Sequence, residues 1–109
     1  MDRRREKRKR QRLRVLVEPG AVMSVTGDLS PGGVFVHSAR IYAPGTPVSL
    51  RFSLPSGHAE ARGVVRWAKR VPVSLMGHVR GGMGVQFTWV SLELHAFLVA
   101  ARRPVRAVA

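Results

Sequence analysis

The sequence predicts a small closed β-sheet or barrel followed by one C-terminal helix. Three observations predict this fold class: short runs with apolar side chains at every second position, Gly and Pro turns between them, and a final stretch with helical apolar spacing. With 109 residues, 45% of them apolar, the chain suits one domain with one modest core. We expect a basic arm at residues 1–12, the barrel with its helix at 13–103, and a tail at 104–109.

Three short strands are predicted in the first half of the barrel. Apolar residues alternate over 13–17, and Pro19-Gly20 ends this first strand. Residues 21–26 are rich in β-branched side chains and predict a second strand. The segment 27–33 is dense in turn-forming residues, so a turn is expected there, followed by a third strand over 34–38.

A hairpin is predicted next. Residues 47–54 alternate cleanly between apolar and polar side chains, and the turn formers at 55–57 end this strand. The returning strand, about 59–68, is expected to place Trp67 on the same face as Val65. The alternation therefore favours a core or barrel-end position for Trp67, with an aromatic surface beside a ligand as the alternative.

The fold is expected to end with a loop, a strand and a helix. Glycines and a proline over 69–81 indicate a loop, and 82–87 reads as the last strand. Apolar residues then recur at helical spacing, which predicts an amphipathic helix over 91–102 with Ser91 as its N-cap. This helix is expected to plug an open end of the barrel or to cover an edge.

The sequence does not indicate catalysis or metal binding. It has no cysteine, its four histidines lack ligand spacing, and neither GxxxxGK[ST] nor GxGxxG is present. We therefore expect no enzyme activity, no metal and no cofactor. No signal peptide and no apolar run of about 20 residues is found, so the expectation is a cytoplasmic protein without a membrane span.

The charge is strongly positive and unevenly placed. Nineteen Lys and Arg residues face six acidic residues, giving a net charge of +13, and the basic residues are concentrated in 1–14. Such a segment attracts nucleic acid, phosphorylated small molecules or anionic lipid, or serves only as a solvated tail. Charge alone leaves these alternatives open.

Two motifs carry more information than the charge. Asp28-x-Ser30-x-x-Gly33 combines side chains that bond to nearby backbone N–H groups with a glycine, and by itself it indicates a polar turn. Arg8-x-x-x-Arg12 places two arginines on one side of a helical turn, or lets both reach around one ligand from an extended arm. The pairs Arg4/Arg8 and Arg10/Arg14 share this spacing, and Arg8/Arg12 is chosen because Arg12 directly precedes the first predicted strand.

In this order and register, the two motifs resemble those of the PilZ domain family. The segments 30–36, 63–67 and 82–87 are also similar to the family's pattern, and the resemblance covers roughly residues 7–101. It implies an all-β fold: a six-stranded antiparallel β-barrel of the split-barrel type with a C-terminal α-helix. It also implies binding of the bacterial second messenger cyclic di-GMP, without catalysis.

The resemblance assigns the ligand-binding residues to two groups. Arginines of the arm are expected to contact phosphates and guanines, because guanidinium groups donate paired hydrogen bonds to both; they are Arg8, Arg12 and, as an additional contact, Arg10. The polar corner is expected to cradle one guanine through Asp28, Ser30 and Gly33.

The implied function is that of a receptor module. Ligand phosphates would neutralise the arm and order it against the barrel, creating a surface for an unknown downstream protein partner. One ligand or a stacked pair, and a monomer or a ligand-linked dimer, all stay open. Two alternatives are a nucleic-acid-binding basic barrel and a ligand-free adaptor; nucleic acid is disfavoured because three phenylalanines fall on predicted core faces, which leaves few aromatics for stacking on bases.

Overall fold

The computed structural model describes residues 12–38, 40–71 and 81–102. They form a closed six-stranded antiparallel barrel with one C-terminal helix, which confirms the predicted fold class. Around the barrel the strands follow the order β1-β2-β3-β6-β5-β4. The elements are β1 (Arg14–Glu18), β2 (Val22–Ser30), β3 (Gly33–His37), β4 (Pro47–Leu54), β5 (Gly57–Lys69), β6 (Gly82–Val90) and α1 (Leu92–Arg102).

Period-two alternation builds the core. In β1 the side chains of Val15 and Val17 are fully buried, and in β4 every second residue from Val48 to Leu54 is buried while the residues between them are exposed. Because successive side chains of a strand point to opposite faces, one face of each strand fills the barrel interior. Phe52 is fully buried there, and its ring meets that of Phe87 edge-on at 6.4 Å between centroids.

The helix follows the prediction closely. The Ser91 hydroxyl accepts a hydrogen bond from the backbone N–H of Leu94 at 3.3 Å, which is the N-cap arrangement. Leu94 and Leu98 are buried in the same core cluster as the strand residues, and α1 packs against β5. The helix therefore adds its apolar stripe to the barrel interior, as its spacing predicted.

Pairing between the described strands shifts register at three points. Gly27 and Asp28 of β2 together oppose one residue of β3; on the β5–β6 pair, Arg66 and Thr88 are each one extra residue. Such a one-residue bulge turns two successive side chains to the same face. Each of the three bulges therefore presents an outward pair, and the pairs are Gly27-Asp28, Arg66-Trp67 and Thr88-Trp89.

Two predictions at these bulges are wrong. The segment 27–33 is not one turn: β2 continues to Ser30, and only Pro31 and Gly32 connect it to β3. Trp67 is 51% exposed instead of lying in the core, because the extra residue at position 66 reverses the alternation beyond it. Inward-facing residues resume at Ala68, which packs against the core.

Several predicted segments lie outside the described residues. They include the arm up to residue 11, with Arg8 and Arg10, most of the predicted loop at 69–81, and the tail. Within the part of the chain that the structure describes, no helix has the length and apolar character needed to cross a membrane.

Candidate functional site

A groove of about 520 Å³ lies on the outer surface of β3, β6 and β5. This volume falls in the range of pockets that hold small ligands. Asp28, Ser30 and Gly33 of the polar motif line it, which shows that the structure brings these three predicted residues together. Across the groove, the lining continues with side chains of β3, β5 and β6: Phe35, Arg66, Trp67 and Gln86.

Two glycines make room for the groove. A Cβ atom at Gly33 would overlap the carbonyl oxygen of Val85 on the neighbouring strand, and one at Gly84 would overlap the indole of Trp67. Neither glycine has a positive φ angle, so close approach of neighbouring groups, and not backbone conformation, requires glycine at both places. Gly33 therefore has a structural role in β3–β6 pairing as well as its predicted place in the ligand cradle.

The β2 bulge directs Asp28 toward the groove. Thr26 and Leu29, on either side of the bulge, are fully buried, whereas Asp28 between them faces outward. At the end of β2 the Ser30 hydroxyl donates a hydrogen bond of 3.5 Å to the Gly33 carbonyl oxygen. A carboxylate and a hydroxyl thus stand side by side on one wall, where they supply acceptors and one donor to a bound molecule.

Arg12 lies on the same side of the barrel as Asp28. Leu13 is tied to Thr26 twice: its N–H donates to the Thr26 hydroxyl and its carbonyl accepts from the Thr26 N–H, both at 2.9 Å. Extended by one residue, this pairing puts the exposed Arg12 opposite Gly27, next to Asp28 in the chain. Arg12 does not line the groove; Arg8 and Arg10 precede the described residues.

A second cation belongs to the groove itself. Arg66 is exposed at its bulge, and its Nε donates a hydrogen bond to Oε1 of Gln86 at 2.5 Å. The bond fixes the base of the guanidinium group and leaves its terminal amino groups able to donate elsewhere. The groove therefore presents a guanidinium that Gln86 holds in place.

Trp67 and Phe35 form an aromatic platform. Their rings stack with centroids 5.1 Å apart and planes 14° from parallel. Both residues pair with Gly84, which stands between them on β6, so the missing side chain there lets the two rings meet across the strand. About half of the Trp67 surface stays exposed and offers a flat face to a planar ligand.

We expect Gly84→Ala to displace Trp67 from this platform. The new methyl group would occupy the space of the indole, so the ring must swing toward solvent. In a Trp89→Phe background, where Trp67 is the remaining tryptophan, its fluorescence emission should shift to longer wavelength. Gly32→Ala is the matched control, since a Cβ there meets nothing within 4 Å; equal spectra for both variants would contradict the packing described.

The sequence prediction omitted Arg66, Gln86 and Phe35 and placed Trp67 on the wrong face. Gly84 was a sequence signal for this surface, because a glycine within a strand indicates a bulge or the close approach of a neighbouring group. Within the described ranges, no group of three or more His, Asp and Glu side chains is arranged to hold a metal ion.

Comparison with known proteins gives a family and solved structures of similar fold. The family model of the PilZ domain matches residues 2–101. The structure of the Bacillus subtilis inhibitor of motility, MotI/DgrA, aligns with a TM-score of 0.74 at 19% sequence identity, covering 94% of this chain. The chain spans half the length of that protein's chain. No curated protein matches.

Proposed function

Because the chain belongs to the PilZ domain family, we propose that it binds cyclic di-GMP in the groove of β3, β5 and β6 and acts as a regulatory module without catalysis. The observation that carries this proposal is the meeting of Asp28, Ser30 and Gly33 with Arg66 and Trp67 around one groove. The polar motif and the groove residues arrive from different strands, so their convergence is a property of the fold and not of the motif alone.

The groove suits the chemistry of a guanine dinucleotide. A carboxylate accepts hydrogen bonds from the N1–H and N2–H₂ donors of guanine, a role for Asp28 that Ser30 supplements with its hydroxyl. The platform of Trp67 on Phe35 offers stacking to a base, and Arg66 offers a guanidinium to a phosphate or to guanine O6 and N7. Arg12, with Arg8 and Arg10 before it in the sequence, is proposed to supply further cations.

Ligand binding is proposed to act through the arm. Two phosphates would neutralise positive charge on residues 1–12 and draw this segment onto the groove, which changes the surface offered to a downstream protein. The attachment of Leu13 to Thr26 supports this step, because it fixes the point where the arm joins the barrel beside the groove.

A calorimetric titration with cyclic di-GMP tests the proposal and also gives the stoichiometry. We expect binding to cyclic di-GMP and much weaker binding to cyclic di-AMP, because adenine lacks the two donors that Asp28 would accept. Equal affinities for the two dinucleotides would contradict the proposed recognition of guanine by Asp28. If neither dinucleotide binds, the proposed function is wrong.

We expect Arg66→Ala to weaken cyclic di-GMP binding by roughly five- to thirtyfold, about 1–2 kcal/mol for one lost charged hydrogen-bond donor at an exposed site. Calorimetry at fixed ionic strength measures this change. Arg62→Ala removes the same charge from the same strand outside the groove and should leave the affinity unchanged. Equal loss in both variants would show that only net charge matters.

Salt dependence separates this function from nucleic-acid binding. Phe52 is fully buried and Phe87 and Phe97 pack against the core, as predicted, and the exposed Trp67 and Trp89 belong to separate grooves instead of one continuous platform. A dinucleotide held largely through its guanines should lose little affinity as salt rises, whereas a polynucleotide would lose it steeply. A steep fall in affinity as the salt concentration rises would favour nucleic-acid binding.

A further inference from the structure

A second groove of about 290 Å³ lies on the outer surface of β1, β4 and β5 and the end of β6. It shares no lining residue with the cyclic di-GMP groove. We call it the Trp89 groove, after the exposed tryptophan on its wall; Leu16, Glu18, Arg51 and Arg62 also line it. The proposed binding of cyclic di-GMP does not involve the residues of this groove.

The β6 bulge makes Trp89 available. The extra residue Thr88 turns the indole outward, where it is 45% exposed, and the Thr88 hydroxyl donates to the Arg62 carbonyl oxygen at 3.2 Å. The Arg62 guanidinium lies 5.0 Å from the indole centroid, and within the described residues it makes no ion pair. A held Arg–Trp pair at the surface has the composition that dominates binding energy at protein interfaces.

The β1 end of the groove carries Leu16 beside Glu18. Leu16 pairs with Met23 of the neighbouring strand, and Met23 is 63% exposed. Leu16 and Trp89 line the groove from strands three steps apart in a closed six-stranded barrel, so a segment that contacts both follows the curved outer surface.

Charge selects among the possible occupants. Glu18 and Glu60 line the groove, and Glu60 pairs with Arg51 at 3.4 Å, so a polyanion such as nucleic acid would meet carboxylates and a neutralised arginine. A second copy of this chain would carry the same net charge of +13 and be repelled. Arg62, lacking an acidic partner among the described residues, favours a single carboxylate.

We propose that the Trp89 groove docks a segment of a protein partner that carries one carboxylate among apolar side chains, with the carboxylate on Arg62 and the apolar side chains against Trp89 and Leu16. The positive field of the chain steers such a partner toward it, and the Arg–Trp pair gives the contact its specificity. This surface is separate from the cyclic di-GMP groove, so the docking is independent of whether that ligand binds.

Selection of phage-displayed random dodecapeptides on the full chain tests the proposal. Enriched peptides should combine Asp or Glu with aliphatic or aromatic residues, and calorimetry with the synthetic peptides should show binding weakened about tenfold or more by Trp89→Ala and by Arg62→Glu. Lys69→Glu makes the same charge change on the same strand outside both grooves and should bind as the parent does. Urea midpoints of all variants confirm that they are folded.

Other results would overturn the proposal. They are the absence of enriched peptides, enrichment of basic peptides, and peptide binding that Trp89→Ala leaves unchanged. Concentration-dependent dimers in sedimentation that Trp89→Ala abolishes would assign the groove to a second copy. Binding of oligo(dT) that Arg62→Glu abolishes would assign it to nucleic acid. Loss of cyclic di-GMP binding in Asp28→Ala, with peptide binding intact, would leave it standing.

Discussion

The Asp28→Ala variant is expected to bind cyclic di-GMP roughly five- to 150-fold more weakly than the parent chain, a loss of about 1–3 kcal/mol. The bulge in β2 turns Asp28 toward the groove, and its carboxylate is the proposed acceptor for two donors on one guanine edge. Without it, those donors lose their partner on leaving water, which costs more than a hydrogen bond contributes. Calorimetry at fixed ionic strength measures the loss.

Controls separate this effect from a change in net charge. Glu93→Ala removes an acidic side chain from the exposed start of α1, outside the groove, and should leave the affinity unchanged. Arg8→Ala and Arg12→Ala are each expected to weaken binding, since both arginines are proposed to contact the phosphates and guanines of the ligand. Unchanged affinity in these two variants and in Asp28→Ala would contradict the proposed site.

The Phe52→Ala variant is expected to lose about 3–5 kcal/mol of unfolding free energy. Phe52 is fully buried, lies near the middle of β4 and packs edge-on against Phe87 across the interior. The substitution removes apolar contacts and leaves a cavity that a closed barrel is poorly able to fill by collapse, because each strand is held by two neighbours. Urea denaturation followed by far-UV circular dichroism measures the change.

Ser53→Ala is the matched control for this change. Ser53 is the next residue of the same strand, but it faces solvent, and its substitution should alter the unfolding free energy by no more than about 0.5 kcal/mol. Similar losses in both variants would show that the inward and outward faces of β4 have been assigned wrongly.

Regular alternation explains which elements could be predicted from sequence. β4 runs over the predicted residues, and β1 buries its predicted apolar face. Both could be predicted because apolar and polar residues alternate in the sequence with the same period as burial in a strand. The helix was equally accessible, since its cap, Ser91, and the buried residues Leu94 and Leu98 lie within a few positions of one another. Each of these signals is local.

Bulges explain what sequence could not show. Beyond a bulge, the side chains of a strand occupy the opposite face from the one that regular alternation predicts. Whether a bulge forms depends on pairing with the neighbouring strand, which the local sequence does not show. The segment 27–33 therefore looked like a turn although β2 crosses most of it, and Trp67 looked internal although it is exposed.

The candidate site was predictable in part. Asp28, Ser30 and Gly33 were identified from one motif, and the structure places them on one groove. Their role in ligand binding stays a prediction, as do those of Arg8, Arg10 and Arg12. The opposite wall could not be foreseen, because Gln86 and Arg66 meet only through the pairing of two strands that are distant in sequence.

At the bulges at positions 66 and 88, the residues that line the two grooves are different from the residues that form the core. On either side of each, the inward residues keep their places in the core, so the inserted residue and the tryptophan after it are free to vary without repacking the interior. A protein engineer, or natural divergence, could exchange these two dipeptides to alter what the barrel recognises at two separate places at little cost in stability. Deleting Arg66 would instead restore regular alternation from Val65 through Trp67 to Ala68, so the indole would stay outward while the groove loses its guanidinium.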